Sequence, residues 1–445
     1  MGFRAGRWHT NTIHFKQLVT MNMKNLTFLL LLAGLFALPG CNNNVDEYVT
    51  YTVNEPVFMS ASEFRSTVDV VEAQPIEKQG KIVFYSDYLY ISQPGKGIHV
   101  IDNRDPSNPK NIAFIELPGN ADMHVRDGVL YADSHVDLVW FDINNPAEPV
   151  FKGRKEEVFP QALPPTENNF SIDYAKSMNR EKGIVVGWKT VERKEVVREY
   201  RPHWFGWGGW SERAVMFSSD AASSGGGVGA TGSMSRFAIY DDNLYTVMNN
   251  VLGIFDLSGE SPLKIGNNIH VGFDVETIFS YKECLFMGTP TGMIIYSVED
   301  PVRPEYQSMI THAFGCDPVV VEDDIAYVTV RSGTFCGQDA NELIIVDVSN
   351  VKKPKHLVTY GMVGPKGLGI DEGTLFVCDD GLKVFNAANP ETIMANRLAH
   401  FKEMDGFDVI PYNNVLMMMA EDGIYQYDYT DVKQIKQLSR LPIGN

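Results

Sequence analysis

The chain has 445 residues, 44% of them hydrophobic, with 38 glycines and a formal net charge of −18. That length admits one large all-β domain or two or three ordinary ones. The acidic balance argues against nucleic acid or anionic lipid headgroups as partners, since both recruit basic surfaces.

The N-terminus carries an address. Lys24 and the apolar run 26–38 follow Met21 and Met23, and Pro39-Gly40-Cys41 leads into Asn42, Asn43 and Asn44. A basic start, an apolar stretch too short to span a bilayer and small residues before a cleavage point describe an export signal, with residues 1–20 upstream of the expected start. Leu38-Pro39-Gly40-Cys41 resembles the lipobox of bacterial lipoproteins, although Pro39 departs from the usual small residue. The resemblance implies a lipid on Cys41 and an exported outer-membrane lipoprotein, on the periplasmic side or the cell surface; the alternative is a plain secretory signal. Residues 1–40 hold Arg4, Arg7, Lys16 and Lys24 and no acid, so 34 basic and 56 acidic residues follow, a net charge of −22. Residues 41–80 read as the spacer from the lipid anchor and an N-terminal segment, amphipathic around Ser60 to Val71.

From residue 81 two signals repeat. The first is a hairpin whose second strand opens with a Leu-aromatic pair or a substitute: Ser86 to Tyr90, Arg126 to Tyr131, Asp241 to Tyr245, Lys282 to Phe286, Asp323 to Tyr327, Glu372 to Phe376 and Asn413 to Met417. The steps from Tyr90 to Tyr131, Tyr245 to Phe286, Phe286 to Tyr327 and Phe376 to Met417 are each 41 residues. The second signal is an apolar strand closed by Asp or a substitute, then a Pro-containing turn. Asp102, Asp142, Asp256, Ser297, Asp347, Asn386 and Asp428 occupy the closing position. A short carboxylate there accepts backbone N–H groups and fixes the turn, and Pro presets its backbone, so these acids are structural.

Four short strands per unit of about 41 residues is the spacing of a β-propeller blade, and no single blade can bury both its faces alone. The expected fold is all-β: a propeller of four-stranded blades over 81–445, with seven marked repeats and an insertion at about 155–234. The Tyr131 to Tyr245 step is 114 residues, so an eighth, unmarked blade is the alternative. Within the insertion, Ile172 to Val186 reads as a hairpin turning at Gly183, and Thr190 to Tyr200 and Ala214 to Ser218 as further strands. Leu343-Ile-Ile-Val-Asp347 and its counterparts resemble the LVIVD repeat of predicted propellers in bacterial surface lipoproteins, notably of the Bacteroidetes. The resemblance covers roughly residues 81 to 443 and implies the fold without implying an activity.

Candidate chemistry gathers where the chain leads into each inner strand. Gly precedes Asp by two or three residues at Gly119 and Asp122, Gly272 and Asp274, Gly315 and Asp317, and Gly406 and Asp408, while Gly364 is followed by Lys366. Asp122, Asp274, Asp317 and Asp408 around a channel mouth would suit Ca²⁺ or Mg²⁺, which prefer oxygen ligands. The competing reading is that they cap local backbone. His124, His270, His312 and His400 lie nearby at unequal offsets. Cys316 and Cys336 fall in two loops of one face, close enough in the fold for a disulfide, and Cys284 and Cys378 read as buried thiols in strands.

The insertion holds Trp204, Phe205, Trp207 and Trp210, a cluster of aromatics amid glycine that can stack on sugar rings or anchor a protein. Gly227 to Gly232 matches a dinucleotide fingerprint formally but has no βαβ setting, within a low-complexity Ser/Gly stretch. No GxSxG elbow, HExxH helix or Walker loop occurs in the sequence. The leading expectation is a lipid-anchored envelope propeller that binds or scaffolds a protein or glycan. Its rival is a glycan-active hydrolase or lyase with an Asp/His, metal-assisted site at the channel mouth.

Overall fold

A computed structural model describes residues 48–166, 168–196, 230–231, 235–248, 250–272, 275, 277–289, 292–311, 318–331 and 340–444. They fall into two compact units. A small one contains residues 48–51 and 194–196, where the Lys194 ammonium lies 4.6 Å from the centre of the Tyr48 ring. The large one is a seven-bladed propeller with its decorations.

Blade 1 runs from the inner strand outward as Ile82–Tyr85, Tyr88–Gln93, Gly97–Asp102 and Lys110–Glu116; blade 2 as Met123–Arg126, Val129–Ser134, Asp137–Asp142 and Val150–Lys155. Blade 3 has Phe237–Tyr240, Asn243–Met248 and Val251–Asp256, and its outer strand is split into Leu263–Lys264 and Ile269–His270. Blades 4, 5, 6 and 7 occupy 277–311, 319–361, 368–401 and 408–442, each an antiparallel four-strand meander. Ala214 to Ser218 lies outside the described residues, among which the insertion adds no eighth four-stranded sheet. Nor do its strands make the expected hairpin. Ser171–Ile172 pairs in parallel with Val53 and Asn54 of the N-terminal strand Tyr48–Met59, and Ile184–Val196 lies on the other side of that same strand. A strand between them leaves Gly183 ending a short 3-10 turn instead of a hairpin.

The repeat explains the architecture residue by residue. Asp102, Asp142, Asp256, Ser297, Asp347, Asn386 and Asp428 each accept the backbone N–H two residues on, at 2.8–3.4 Å. The hairpins between first and second strands turn through left-handed residues such as Asp127-Gly128, Asp323-Asp324 and Asn413-Asn414, the geometry of tight two-residue turns. The aromatic opening each second strand goes inside: Tyr90, Tyr245, Phe286, Tyr327 and Phe376 are all fully buried, and the two phenylalanines are each worth about 1.5–3 kcal/mol on the usual burial scale.

A latch from the last residue of the inner strand joins blades 1, 2, 4, 5, 6 and 7 to their successors, and in blades 1, 2, 4 and 5 it ends on the next blade's first turn. The Tyr85 hydroxyl accepts from Gly128 N at 2.9 Å, Tyr281 from Asp324 N at 3.2 Å, and Glu322 from Gly373 N at 2.7 Å. Arg126 pairs with Asp242, and Asp371 accepts the Tyr429 hydroxyl at 2.5 Å. The Tyr412 ring meets Phe84 at 4.4 Å, which carries the latch across the seam between last and first blades.

That seam is closed by packing, because every strand of blade 7 comes from the C-terminal end of the chain. Ile82, Phe84, Leu89 and Ile91 pack against Ile410, Met417, Met419 and Ile424. Asn103 and Gln426, both buried, exchange side-chain hydrogen bonds of 2.9 and 2.6 Å.

The decorations crowd onto blades 1, 2 and 3. Asp69–Glu72 adds a strand to the outer edge of blade 1, and Ala230–Thr231 adds one to its inner edge, beside Val83 and Phe84. The helix Ala61–Arg65, capped by Ser60, buries Phe64 against Val136 and Ile184 and stacks it on His135. Arg65 reaches Asp137 through two hydrogen bonds, at 2.8 and 3.1 Å, and Arg154 meets the same carboxylate at 2.8 Å.

Candidate functional site at the channel mouth

Nine residues before each second-strand aromatic, or the Met417 that replaces it, lies the position leading into the inner strand. In blade order it holds Lys81, Asp122, Arg236, Thr277, Pro318, Gly367 and Asp408. Blades 7, 1, 2 and 3 therefore present Asp, Lys, Asp and Arg in sequence around one end of the axis. Asp122 and Asp408 are equivalent positions. Asp317 and Asp274 stand one and three residues ahead of theirs, so the four aspartates do not form one repeat-locked ring.

Asp122 is buried and engaged. One of its oxygens accepts Met123 N at 2.8 Å, the other accepts Arg236 N at 2.6 Å, and the Ser235 hydroxyl lies 3.3 Å from both. Asp133, at the end of the second strand, accepts Ala121 N, Asp122 N and the Asn120 amide at 2.7, 2.9 and 3.1 Å. Burial pushes its carboxyl up to about 7 against the pull of those backbone donors. Ser235 continues the network, its carbonyl accepting Ile278 N at 2.7 Å. The chain returning from the insertion is thereby tied to blades 2 and 4 at once.

Lys81 is the unsatisfied member. Its side chain is 3% exposed, and among the described residues its ammonium has no hydrogen-bond partner and pairs with the Asp122 carboxylate at 3.7 Å. His124 is buried close by and accepts Val125 N at 3.0 Å through Nδ1; burial, with Lys81 beside it, lowers its pKa to about 3 and keeps it neutral. Across the mouth, Asp408 is fully buried against Gly367. Lys366 pairs with Asp405 at 3.0 Å, and Asp379 accepts Val363 N and Gly364 N while pairing with buried Lys383.

Of the sequence candidates for the mouth, the described residues include Asp122, Asp408, His124, His270 and His400. Asp122 and Asp408 lie at the mouth, and Asp122 spends its oxygens on backbone and hydroxyl donors. Among the described residues no three His, Cys, Asp or Glu side chains are placed to share a metal. His270 and His400 sit on outer strands, far in the blade from inner-strand His124. Cys378 is fully buried and Cys284 half-buried, its thiol pushed up to about 11 by burial. Asp274, Asp317, His312, Cys316, Cys336, Trp204, Phe205, Trp207, Trp210 and Cys41 lie outside the described residues. Reading for Gly-Asp pairs missed Lys81 and Arg236; the constant nine-residue offset would have found both.

The LVIVD repeat matches three segments, residues 79–114, 122–156 and 317–360, corresponding to blades 1, 2 and 5. None of the curated proteins compared matches the chain in sequence. Among solved structures the chain is similar to Hsv2 of Kluyveromyces lactis at 12% identity, covering 84% of this chain and 99% of that one with a TM-score of 0.45. It is also similar to a protein from Lactobacillus plantarum at 9% identity, covering 82% and 97% with a TM-score of 0.48. PorZ of Porphyromonas gingivalis, titled an essential bacterial surface component of the type-IX secretion system, is 9% identical with a TM-score of 0.45; the match covers 83% of this chain and 39% of PorZ.

Proposed function

We propose that this chain is an exported, lipid-anchored propeller of the cell envelope that binds or scaffolds a protein or glycan. The observation that carries the reading is the asymmetry of the ring. The repeat's own closing residues are consumed in holding turns, while the N-terminal segment and the described part of the insertion add strands to blade 1, a helix to blade 2 and a covering aromatic to blade 3, with the N-terminal segment reaching blade 7 only through Ile76 and Gln79. Blades 4 to 7 then serve as a rigid frame, and the irregular segments supply the recognition surface. The Trp204, Phe205, Trp207 and Trp210 stretch belongs to that insertion and is its recognition element, with aromatic faces suited to sugar rings or an apolar protein patch.

Two experiments test the parts separately. Cys41→Ser should move the protein from the membrane fraction to the soluble one; unchanged membrane partition would sink the lipid anchor. Affinity capture from envelope extract and glycan-array binding, run with the parent chain and a Trp204→Ala/Trp207→Ala/Trp210→Ala variant of unchanged melting temperature, should give a partner that only the parent retains. Equal binding by both rejects the aromatic element, and no specific partner or glycan for either rejects the binding role.

A further inference from the structure

Blade 3 breaks the repeat in one transverse row. At the position after each second-strand aromatic or its substitute, six blades pair Ile91 with His99, Ala132 with Val139, Met287 with Ile294, Val328 with Ile344, Val377 with Lys383 and Met418 with Tyr425. In blade 3 the pair is Thr246 with Gly253, which has no side chain. Elsewhere the outer strand adds a third residue to that row, such as Phe114, Arg154 or Met309. In blade 3 the outer strand is interrupted there, since Lys264 pairs with Phe255 and Ile269 with Leu252, leaving none opposite Gly253. The row therefore lacks two side chains on the face turned toward blade 2.

The gap is kept open. Phe159, buried and 5.9 Å from the Phe237 ring, holds the first residues of the insertion over the face. A cavity of about 100 Å³ remains beneath, lined by Phe159, Thr246, Met248, Gly253, Phe255 and Lys264 among others. A cavity of this order accommodates a molecule of roughly benzene size. Its walls are mostly apolar. Lys264, an exposed residue, lines the cavity and makes no ion pair or hydrogen bond with any described residue.

We infer that this cleft is a binding site for a small ligand with an apolar body and a terminal carboxylate, the body filling the vacant row over Gly253 and the carboxylate meeting Lys264. The apolar part gains by leaving water, and the charge-assisted contact at the rim sets orientation. The site is separate from the channel mouth and does not rest on the envelope role.

Hexanoate and hexanol are suitable probes, measured by calorimetry on the whole chain. Hexanoate should bind at one saturable site, and hexanol about tenfold more weakly. Thr246→Ala/Gly253→Val copies the Ala132 and Val139 pair of blade 2 and should abolish binding of both while leaving the melting temperature within a few degrees. Lys264→Met, a change at an exposed position, should weaken hexanoate to the level of hexanol without affecting hexanol. A diazirine-bearing alkanoate should label residues around 158–161 or 246–255, a readout that needs no variant. Absence of saturable hexanoate binding, labelling elsewhere, or affinity unchanged in either variant overturns the assignment.

Discussion

Asn103 in the first blade and Gln426 in the last exchange two side-chain hydrogen bonds, of 2.9 and 2.6 Å, across the seam where the ring closes. Both residues are buried, so each amide's alternative to its partner is no partner at all. Asn103→Ala or Gln426→Ala should each lower unfolding free energy by about 1–3 kcal/mol, the cost of an orphaned buried polar group. The double variant should cost clearly less than the sum. Urea denaturation of the four proteins in a double-mutant cycle measures that coupling, and additivity would show that the pair does not act as a unit.

Asp133 predicts an unusual pH dependence. Its carboxyl is ordinarily half-ionised near 3.8 but is pushed up to about 7 by burial. Between those values the folded chain holds a proton that the unfolded chain has released, so this group's contribution to stability falls as pH rises through the window, by up to about 1.4 kcal/mol per pH unit. Asp133→Asn should flatten the stability profile between pH 4 and 7 relative to the parent. Parallel profiles from chemical denaturation would refute it.

Asp137 has the opposite sign. Burial acts to raise its pKa, but Arg65, the Glu157 backbone N–H and Arg154 outweigh burial and hold it below the ordinary carboxylate value. Its stabilisation is present above the unfolded pKa and is lost as pH falls through the folded one. Asp137→Ala takes from Arg154 its carboxylate and leaves Arg65 only the exposed Glu156 and Glu157, and should cost about 3 kcal/mol. It should also expose the N-terminal segment to limited proteolysis ahead of the blades, which mass mapping of the first cut would reveal.

Gly367 sits where a Cβ would fall 1.9 Å from the Asp408 carboxylate. Gly367→Ala must displace a fully buried aspartate between blades 6 and 7, so it should destabilise by at least about 2 kcal/mol. Gly364→Ala, with open space around its Cβ position, is the matched control and should change the melting temperature little.

The sequence by itself determined the blades. A 41-residue step, an aromatic at a fixed place and a polar residue closing the third strand recur in each unit, and the closing residue is satisfied by hydrogen bonds within a few residues, as the Asp347 to Ser349 turn illustrates. Their repetition made seven units legible, and with them the structural role of the closing acids. Tertiary structure decided what lies between units: the Asn103 and Gln426 seam, the return of the insertion to Asp122, the clasp of Arg65 on Asp137, and the vacant row over Gly253. Those contacts join residues tens to hundreds of positions apart, and no local spacing encodes which distant side chain will fill or leave a gap. Lys81 shows the boundary between the two. Its place in the repeat could be counted, but that its ammonium is buried 3.7 Å from Asp122 follows only from the packing of neighbouring blades.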